Sequence, residues 1–410
     1  MVTRGHSLGA LLLALSSLVA CTSRGPEPQM ASVPPSPPAP AAAPAPTPTP
    51  APALAPTQPA SSAMSPAPAE QPPDGAPAPL DAAARAVFLG TAEDEPPVEL
   101  GGVTEERKNQ HYVTSNERTL EAFHSRIQDL RGGYVGVGSD QAYLFIGWAR
   151  SELAWLTDYD PVVVDIHAIY HALFAVADTP AAFRDLWRVE RKPAAIAAIQ
   201  QHGPVGAPAP DRADARRREL LYRRYRARIA KRLDAVSAGM AAAGVPSFLT
   251  DQAQYTYVRD LVRAGRVRSL VADLTQTTAV QQLAAAASKL AVPVRVVYLS
   301  NAEEYWNRLT PSFRANVGAL PVDDRSVVLR TLLTWSKNQD YRYNAQPLRN
   351  YQQWLAQPWV RTIRDVVRRK EFDPAAVNFF ETDELPDEQL FRERQERKTR
   401  AGAPALLPVQ

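Results

Sequence analysis

The chain has 410 residues, with 46 Lys and Arg against 43 Asp and Glu and a net charge of +3. So small a surplus does not mark a nucleic-acid-binding chain, and its single cysteine excludes a disulfide framework. Residues 81–410 are enough for one large domain, or one domain with an insertion.

In chain order, the first feature is Arg4 followed by an apolar run from Leu8 to Ala20. The run is too short to span a bilayer as a mature helix, so residues 1–20 read as a secretory signal. It ends in Leu18-Val19-Ala20-Cys21, which resembles the lipobox of bacterial lipoproteins. That resemblance implies lipidation (palmitate-type acylation) at Cys21 and a membrane anchor there. Thr22 follows, and no Asp stands there to favour retention at the inner membrane, so the expected site is the outer membrane, on its periplasmic or surface side. Residues 21–80 hold more than half of the chain's 38 prolines among Ala, Ser and Thr. They read as an extended, mostly polyproline-II tether of ~3 Å per residue.

Beyond the tether, Thr114 and Glu117 have capping-box spacing and predict a helix over 114–130. Strands are expected at 134–137, 153–157, 267–272, 294–299 and 326–333. Helices are expected at 139–150, from Asp160-Pro161 to about 177, at 211–243, 251–264 and 277–290. Asp160 suits an N-cap and Pro161 the first helical position. Strands alternating with helices predict an α/β fold with a mostly parallel sheet covered on both faces. This domain spans 81–340, with a basic helical insertion at about 203–245, and 341–410 is expected to be a helical extension and tail.

In such a sheet ligands bind outside the carboxyl ends of the strands. The first strand ends in Gly136-Val137-Gly138-Ser139-Asp140-Gln141, the second in Asp158, the third in Asp273 and the fourth in Ser300-Asn301. Gly136 and Gly138 allow close approach of the main chain to a ligand. Asp158, 20 residues beyond Gly138, has the spacing of a ribose-binding carboxylate. Gln141 stands where a dinucleotide fingerprint has glycine, which disfavours a pyrophosphate and leaves S-adenosylmethionine as the better-fitting cofactor. The expected cofactor-binding residues are therefore Gly136, Gly138, Ser139, Asp140, Gln141 and Asp158. Asp273 and Asn301 are the expected catalytic pair aligning an acceptor, although Asn301 and Glu304 also have capping-box spacing.

Other patterns are weaker. His167 and His171 share a helix face with Asp165 nearby, but packed histidines are commoner than a metal site, and no metal is expected. Ser139 lacks the flanking glycines of a hydrolase nucleophile. Residues 216–233 are dense in arginine, with Leu220, Leu221, Tyr225, Ile229 and Leu233 at helical spacing. This reads first as a solvated face, with anionic lipid or nucleic acid as alternatives.

The stretches Gly132 to Gln141, Pro246 to Leu249, Val296 to Tyr305, Phe313 to Asn316, Leu320-Pro321, Ser326 to Arg330 and Ser115-Asn116-Glu117 resemble a bacterial family of unknown function. That family is associated with a class I methyltransferase-like Rossmann fold. The resemblance covers about residues 105–335 and implies that fold, but no activity. Relatives carry a basic pair where this chain has Tyr159-Asp160. Two functions follow as expectations: a lipid-anchored S-adenosylmethionine-type transferase, or a catalytically inactive Rossmann-like lipoprotein that binds a ligand or partner.

Overall fold

A computed structural model of the chain describes residues 77–101, 105–205, 210–334, 339–367 and 378–400. The signal segment, Cys21, the tether up to residue 76 and the last ten residues lie outside the described residues, as do 206–209 of the expected loop.

Seven strands form one sheet: β1 (Gly133–Val137), β2 (Leu153–Asp158), β3 (Val267–Val271), β4 (Val294–Tyr298), β5 (Val327–Leu333), β6 (Tyr341–Pro347) and β7 (Phe379–Glu381). Their order is β3-β2-β1-β4-β5-β6-β7. The first five run parallel, β6 pairs antiparallel with β5, and β7 pairs parallel with β6. The strand order reverses between β1 and β4, which makes that crevice the topological switch point. This is the Rossmann-like α/β architecture expected from the sequence.

The helices are α1 (Ala82–Leu89), α2 (His124–Ile127), α3 (Gln141–Ala149), α4 (Pro161–Val176), α5 (Pro180–Asp185), α6 (Lys192–Gln201), α7 (Arg212–Ala243), α8 (Gln252–Arg263), α9 (Ala279–Lys289), α10 (Pro311–Ala319), α11 (Leu348–Leu355), α12 (Ile363–Val366) and α13 (Glu388–Arg400). Their starts follow from capping chemistry. The side chains of Asp160, Asp211 and Asp251 each accept a first-turn N–H, from Val162, Asp214 and Gln254. Successive strand residues face opposite sides, and the sheet has a core on each. Tyr134, Leu156, Val296, Tyr298 and Leu329 pack under α3, α4, α7 and α8. Val135, Trp155, Leu270, Val297 and Val328 pack under α1, α9, α10 and α11.

Two expectations are corrected. Residues 114–119 are irregular, followed by a 3-10 turn at Leu120–Phe123 and then α2; Glu117 is drawn into the sheet edge instead of capping a helix. The basic stretch, which lies between β2 and β3, packs its apolar face: Tyr222, Ile229, Leu233 and Met240 of α7 are buried in the first core. The region after residue 340 is not purely helical, because β6 and β7 complete the sheet. Strand β6 reads as Tyr-Arg-Tyr-Asn-Ala-Gln-Pro, with polar residues on a face that is nonetheless buried. Arg330 accounts for this: its Nε donates to Glu303 at 2.8 Å, and its Nη1 donates to Asn344 at 2.8 Å and Gln346 at 2.7 Å. A polar network thus replaces the apolar alternation that would have marked a strand.

Candidate ligand-binding site at the carboxyl edge of the sheet

Strand β1 gives way to a turn at Gly138, whose φ of +89° lies where side chains other than glycine are strained. The Gly138 N–H donates to Asp158 Oδ2 at 3.1 Å. Its carbonyl, which can only accept, receives the Nε2 proton of His167 at 2.8 Å. His167 Nδ1 then accepts from the Tyr143 hydroxyl at 3.0 Å. Burial pushes the His167 pKa down to about 4, so the ring is neutral, as that pattern requires.

The side of each glycine on which a Cβ would project is occupied. A Cβ on Gly138 would lie 2.1 Å from Gln141 Nε2, and one on Gly136 would lie 2.2 Å from the Tyr134 hydroxyl. The Gln141 side chain folds back on the turn: its Oε1 accepts from the Ser139 N–H at 3.2 Å and its Nε2 donates to the Val137 carbonyl at 3.4 Å. At the switch point, a hollow of about 20 Å³ lined by Gly136, Val135, Val297, Leu299, Phe313 and Val317 has room for about one water.

Asp140 turns away from this turn. It accepts from the Ser115 N–H at 2.8 Å and from Arg232 Nε at 2.8 Å, and the Ser139 hydroxyl donates to it at 3.3 Å. Asp140 therefore ties the turn to α7 and to the 114–119 segment. Asp158 stays at the edge, half-buried. Its Oδ1 accepts from the Asp160 N–H at 3.0 Å. Loss of solvent pushes its pKa up to about 7 and the Asp160 carboxylate adds to the rise, while the N–H groups of Asp160, Gly138 and Tyr159 oppose it. Asp160 caps α4 and accepts from His111 Nδ1 at 2.9 Å.

Asp273 accepts from the N–H and hydroxyl of Thr275, at 2.8 and 2.7 Å. Asn301 opens a 3-10 turn at Ala302–Glu304 without capping it, and bonds instead to Tyr305. Glu304 accepts from the Leu333 N–H at 2.7 Å, so no capping box forms. Asp273 follows β3 and Asn301 follows β4, three strand spacings or about 14 Å apart. The fold brings Gly138 and Asp158 together, with Ser139 and Gln141 behind them, but not Asp273 with Asn301.

The structure adds residues that the sequence reading passed over. Tyr159, at 37% exposure, and Tyr305, at 46%, stand on the edge. Loss of solvent pushes the Tyr159 hydroxyl up to about 12, and Asp158, Asp160, Tyr305 and Tyr112 all add to the rise, which places these groups in one electrostatic neighbourhood. His111 is oriented there by Asp160. Beneath lies Glu117, 2% exposed. Its Oε1 accepts from the hydroxyls of Ser300 at 2.8 Å, Thr331 at 3.1 Å and Tyr298, and its Oε2 from Ser115. Ser300 holds a φ of +50° at the end of β4, uncommon for a residue other than glycine. The Ser115-Asn116-Glu117 run, the Val296 to Tyr305 stretch and the Tyr159-Asp160 pair were the signals in the sequence that pointed here.

His167 and His171 do not converge on a metal site. His171 is buried with no hydrogen-bond partner among the described residues, and Asp165 is ion-paired with Arg217 at 2.6 Å and Arg218 at 3.4 Å. No group of three or more metal-ligating side chains, and no helix long and apolar enough to cross a membrane, occurs among the described residues.

A family model described as a domain of unknown function (DUF7790) matches residues 112–383. No curated protein matches. Among solved structures, an rRNA methyltransferase, aviRa from Streptomyces viridochromogenes, overlaps 62% of this chain and 82% of its own, with 14% identity and a TM-score of 0.25. At that identity and score, nothing about ligand or reaction passes from that protein to this one.

Proposed function

Because the chain belongs to this family of unknown function, DUF7790, its activity has to be read from its own residues, and we propose that it is a lipid-anchored binding module of the cell envelope. Its ligand face is the carboxyl edge of the sheet, with His111, Asp158, Tyr159, Asn301 and Tyr305 as the contacting residues. One observation carries this reading over a transferase: Gln141 and Tyr134 cover the Cβ sides of Gly138 and Gly136, and the hollow that Gly136 lines has room for about one water. A nucleoside needs bare main chain at that turn, whereas a small polar ligand that donates hydrogen bonds needs only the exposed rim. Asp158 and the ring nitrogen of His111 that does not face Asp160 supply acceptors there, and the tyrosines supply apolar walls with polar tips.

The anchor belongs to the same proposal. It is supported by the run from Leu8 to Ala20, by the sole cysteine directly after it, and by the proline-rich tether. Acylation at Cys21 would hold the domain at the outer membrane.

Thermal-shift titration separates the two functions, since a ligand that binds the native state raises its melting temperature. S-adenosylmethionine and its demethylated product at millimolar concentration should leave the melting temperature unchanged. A rise abolished by Asp158→Ala would establish the transferase reading instead. A ligand-observed NMR screen of small polar molecules should give hits that Tyr159→Ala and Tyr305→Ala weaken without altering stability.

A further inference from the structure

The cations of α7 divide by direction. Arg217 and Arg218 turn to Asp165, and Arg232 turns to Asp140. Arg212, Arg216, Arg223, Arg224 and Lys231 are exposed. At 100° per residue they fall with Leu220 on one arc of roughly 120°, along about 28 Å of helix. Of these five, only Arg223 forms an ion pair among the described residues, with Glu219 on the same helix. Leu220, 55% exposed, projects from the middle of the cations. Packing accounts for the inward half of this helix, whereas on the outward half Arg223 pairs with Glu219, Arg224 lies over the Tyr225 ring and Asp234 pairs with Arg188.

We infer that this outward stripe docks the domain on an anionic phospholipid surface. The inference rests on the proposed envelope anchoring, and it adds what an anchor alone does not supply. An anchor at Cys21, joined to the domain only through the proline-rich segment, would confer proximity without orientation. At the high effective concentration that tethering provides, even a weak face-specific attraction fixes which side meets the membrane. Guanidinium groups bind phosphate oxygens in pairs, and an exposed leucine among them can enter the headgroup boundary. Nucleic acid offers the same phosphates but no apolar layer for Leu220.

The test uses the chain from residue 22 onward, which carries tether and domain but no lipid. It is sedimented with vesicles of phosphatidylcholine alone and of phosphatidylcholine mixed with phosphatidylglycerol. Binding should favour the anionic vesicles by about tenfold or more at low salt and vanish near 1 M salt, where screening acts within about 3 Å. The triple variant Arg216→Glu, Arg224→Glu, Lys231→Glu should lose more than about tenfold, with unchanged circular dichroism and melting temperature. Leu220→Ser should weaken binding several-fold. Reversing Arg349, Arg392 and Arg397, on α11 and α13, changes the net charge equally and should leave binding intact. Equal binding to neutral vesicles, equal loss in that control, or tighter binding to duplex DNA at matched phosphate would overturn the inference. No lipid anchor takes part in this assay, so a failure of the anchoring proposal would appear separately, in cell fractionation.

Discussion

Arg232 Nε donates to Asp140 Oδ2 at 2.8 Å across 92 residues of sequence. The bond fastens the middle of α7 to the turn that follows β1. Arg232 also donates to the Glu117 carbonyl at 2.8 Å, so one guanidinium joins the turn, the helix and the 114–119 segment. Asp140 is buried. Replacing Arg232 by methionine strands that carboxylate and should cost about 3–5 kcal/mol. A urea-denaturation double-mutant cycle with Asp140→Asn should recover part of the loss; additive effects would mean that the two groups are not coupled.

Glu117 collects four hydroxyl donors, from Ser115, Tyr298, Ser300 and Thr331. Glu117→Ala leaves those groups without their acceptor in a buried site, so the expected loss is about 3 kcal/mol or more. Glu117→Gln keeps one acceptor oxygen and should fall between wild type and alanine. A glutamine variant as unstable as the alanine would show that charge, not acceptor capacity, holds the cluster.

Tyr134 presents a contrasting case. Its hydroxyl is buried with no partner among the described residues, so Tyr134→Phe removes an unmet donor and forfeits no bond. Stability should stay level or rise by up to about 1 kcal/mol. Gly136→Ala and Gly138→Ala should both destabilise, the first because its Cβ meets the Tyr134 ring and the second because Gln141 and the positive φ both oppose it. Chemical denaturation of the three variants checks the contrast.

The buried histidines make stability depend on acid. Burial lowers the folded-state pKa of His167 to about 4 and of His171 to about 3, from an ordinary value of 6.5. Below pH 6.5 the unfolded chain takes up protons that the folded chain refuses, so stability is full above that pH and falls as the pH drops toward 4 and then 3. His171→Leu should flatten the lower part of the curve of melting temperature against pH, because His171 has no hydrogen-bond partner to lose among the described residues. An unchanged slope in that variant would locate the acid sensitivity elsewhere.

Asp158 contributes with the opposite sign. Its folded-state pKa, about 7 against an ordinary 3.8, means that the folded chain holds a proton which the unfolded chain has released. This contribution to stability is present at low pH and is lost as the pH rises from about 3.8 through 7. A carboxyl titrating near 7 should appear in carbon-detected NMR and disappear in Asp158→Asn. A titration near 4 would place Asp158 in an ordinary solvated setting.

Local chemistry was legible in the chain. Asp160, Asp211 and Asp251 start helices because a carboxylate accepting a first-turn N–H needs only neighbours in sequence, and apolar runs such as 153–157 and 294–299 mark buried parallel strands for a similarly local reason. A sheet with this strand order sets the glycine turn beside Asp158, and the two are hydrogen-bonded. What surrounds them was not legible. Whether Gly138 faces a ligand or the Gln141 side chain, and whether Asp140 points to the edge or to Arg232, depends on rotamers and on partners nearly a hundred residues away. Strand β6 escaped detection because Arg330 and Glu303 make its polar face a buried one.

The sequence by itself determined the succession of strands and helices, since periodicity and capping act over a few residues. Only the tertiary structure decided which side chains fill the glycine turn, which arginines of α7 are bound inward and which are exposed, and that Glu117 sits at the centre of four hydroxyls. Those outcomes depend on where distant segments pack, and packing is a property of the whole folded chain.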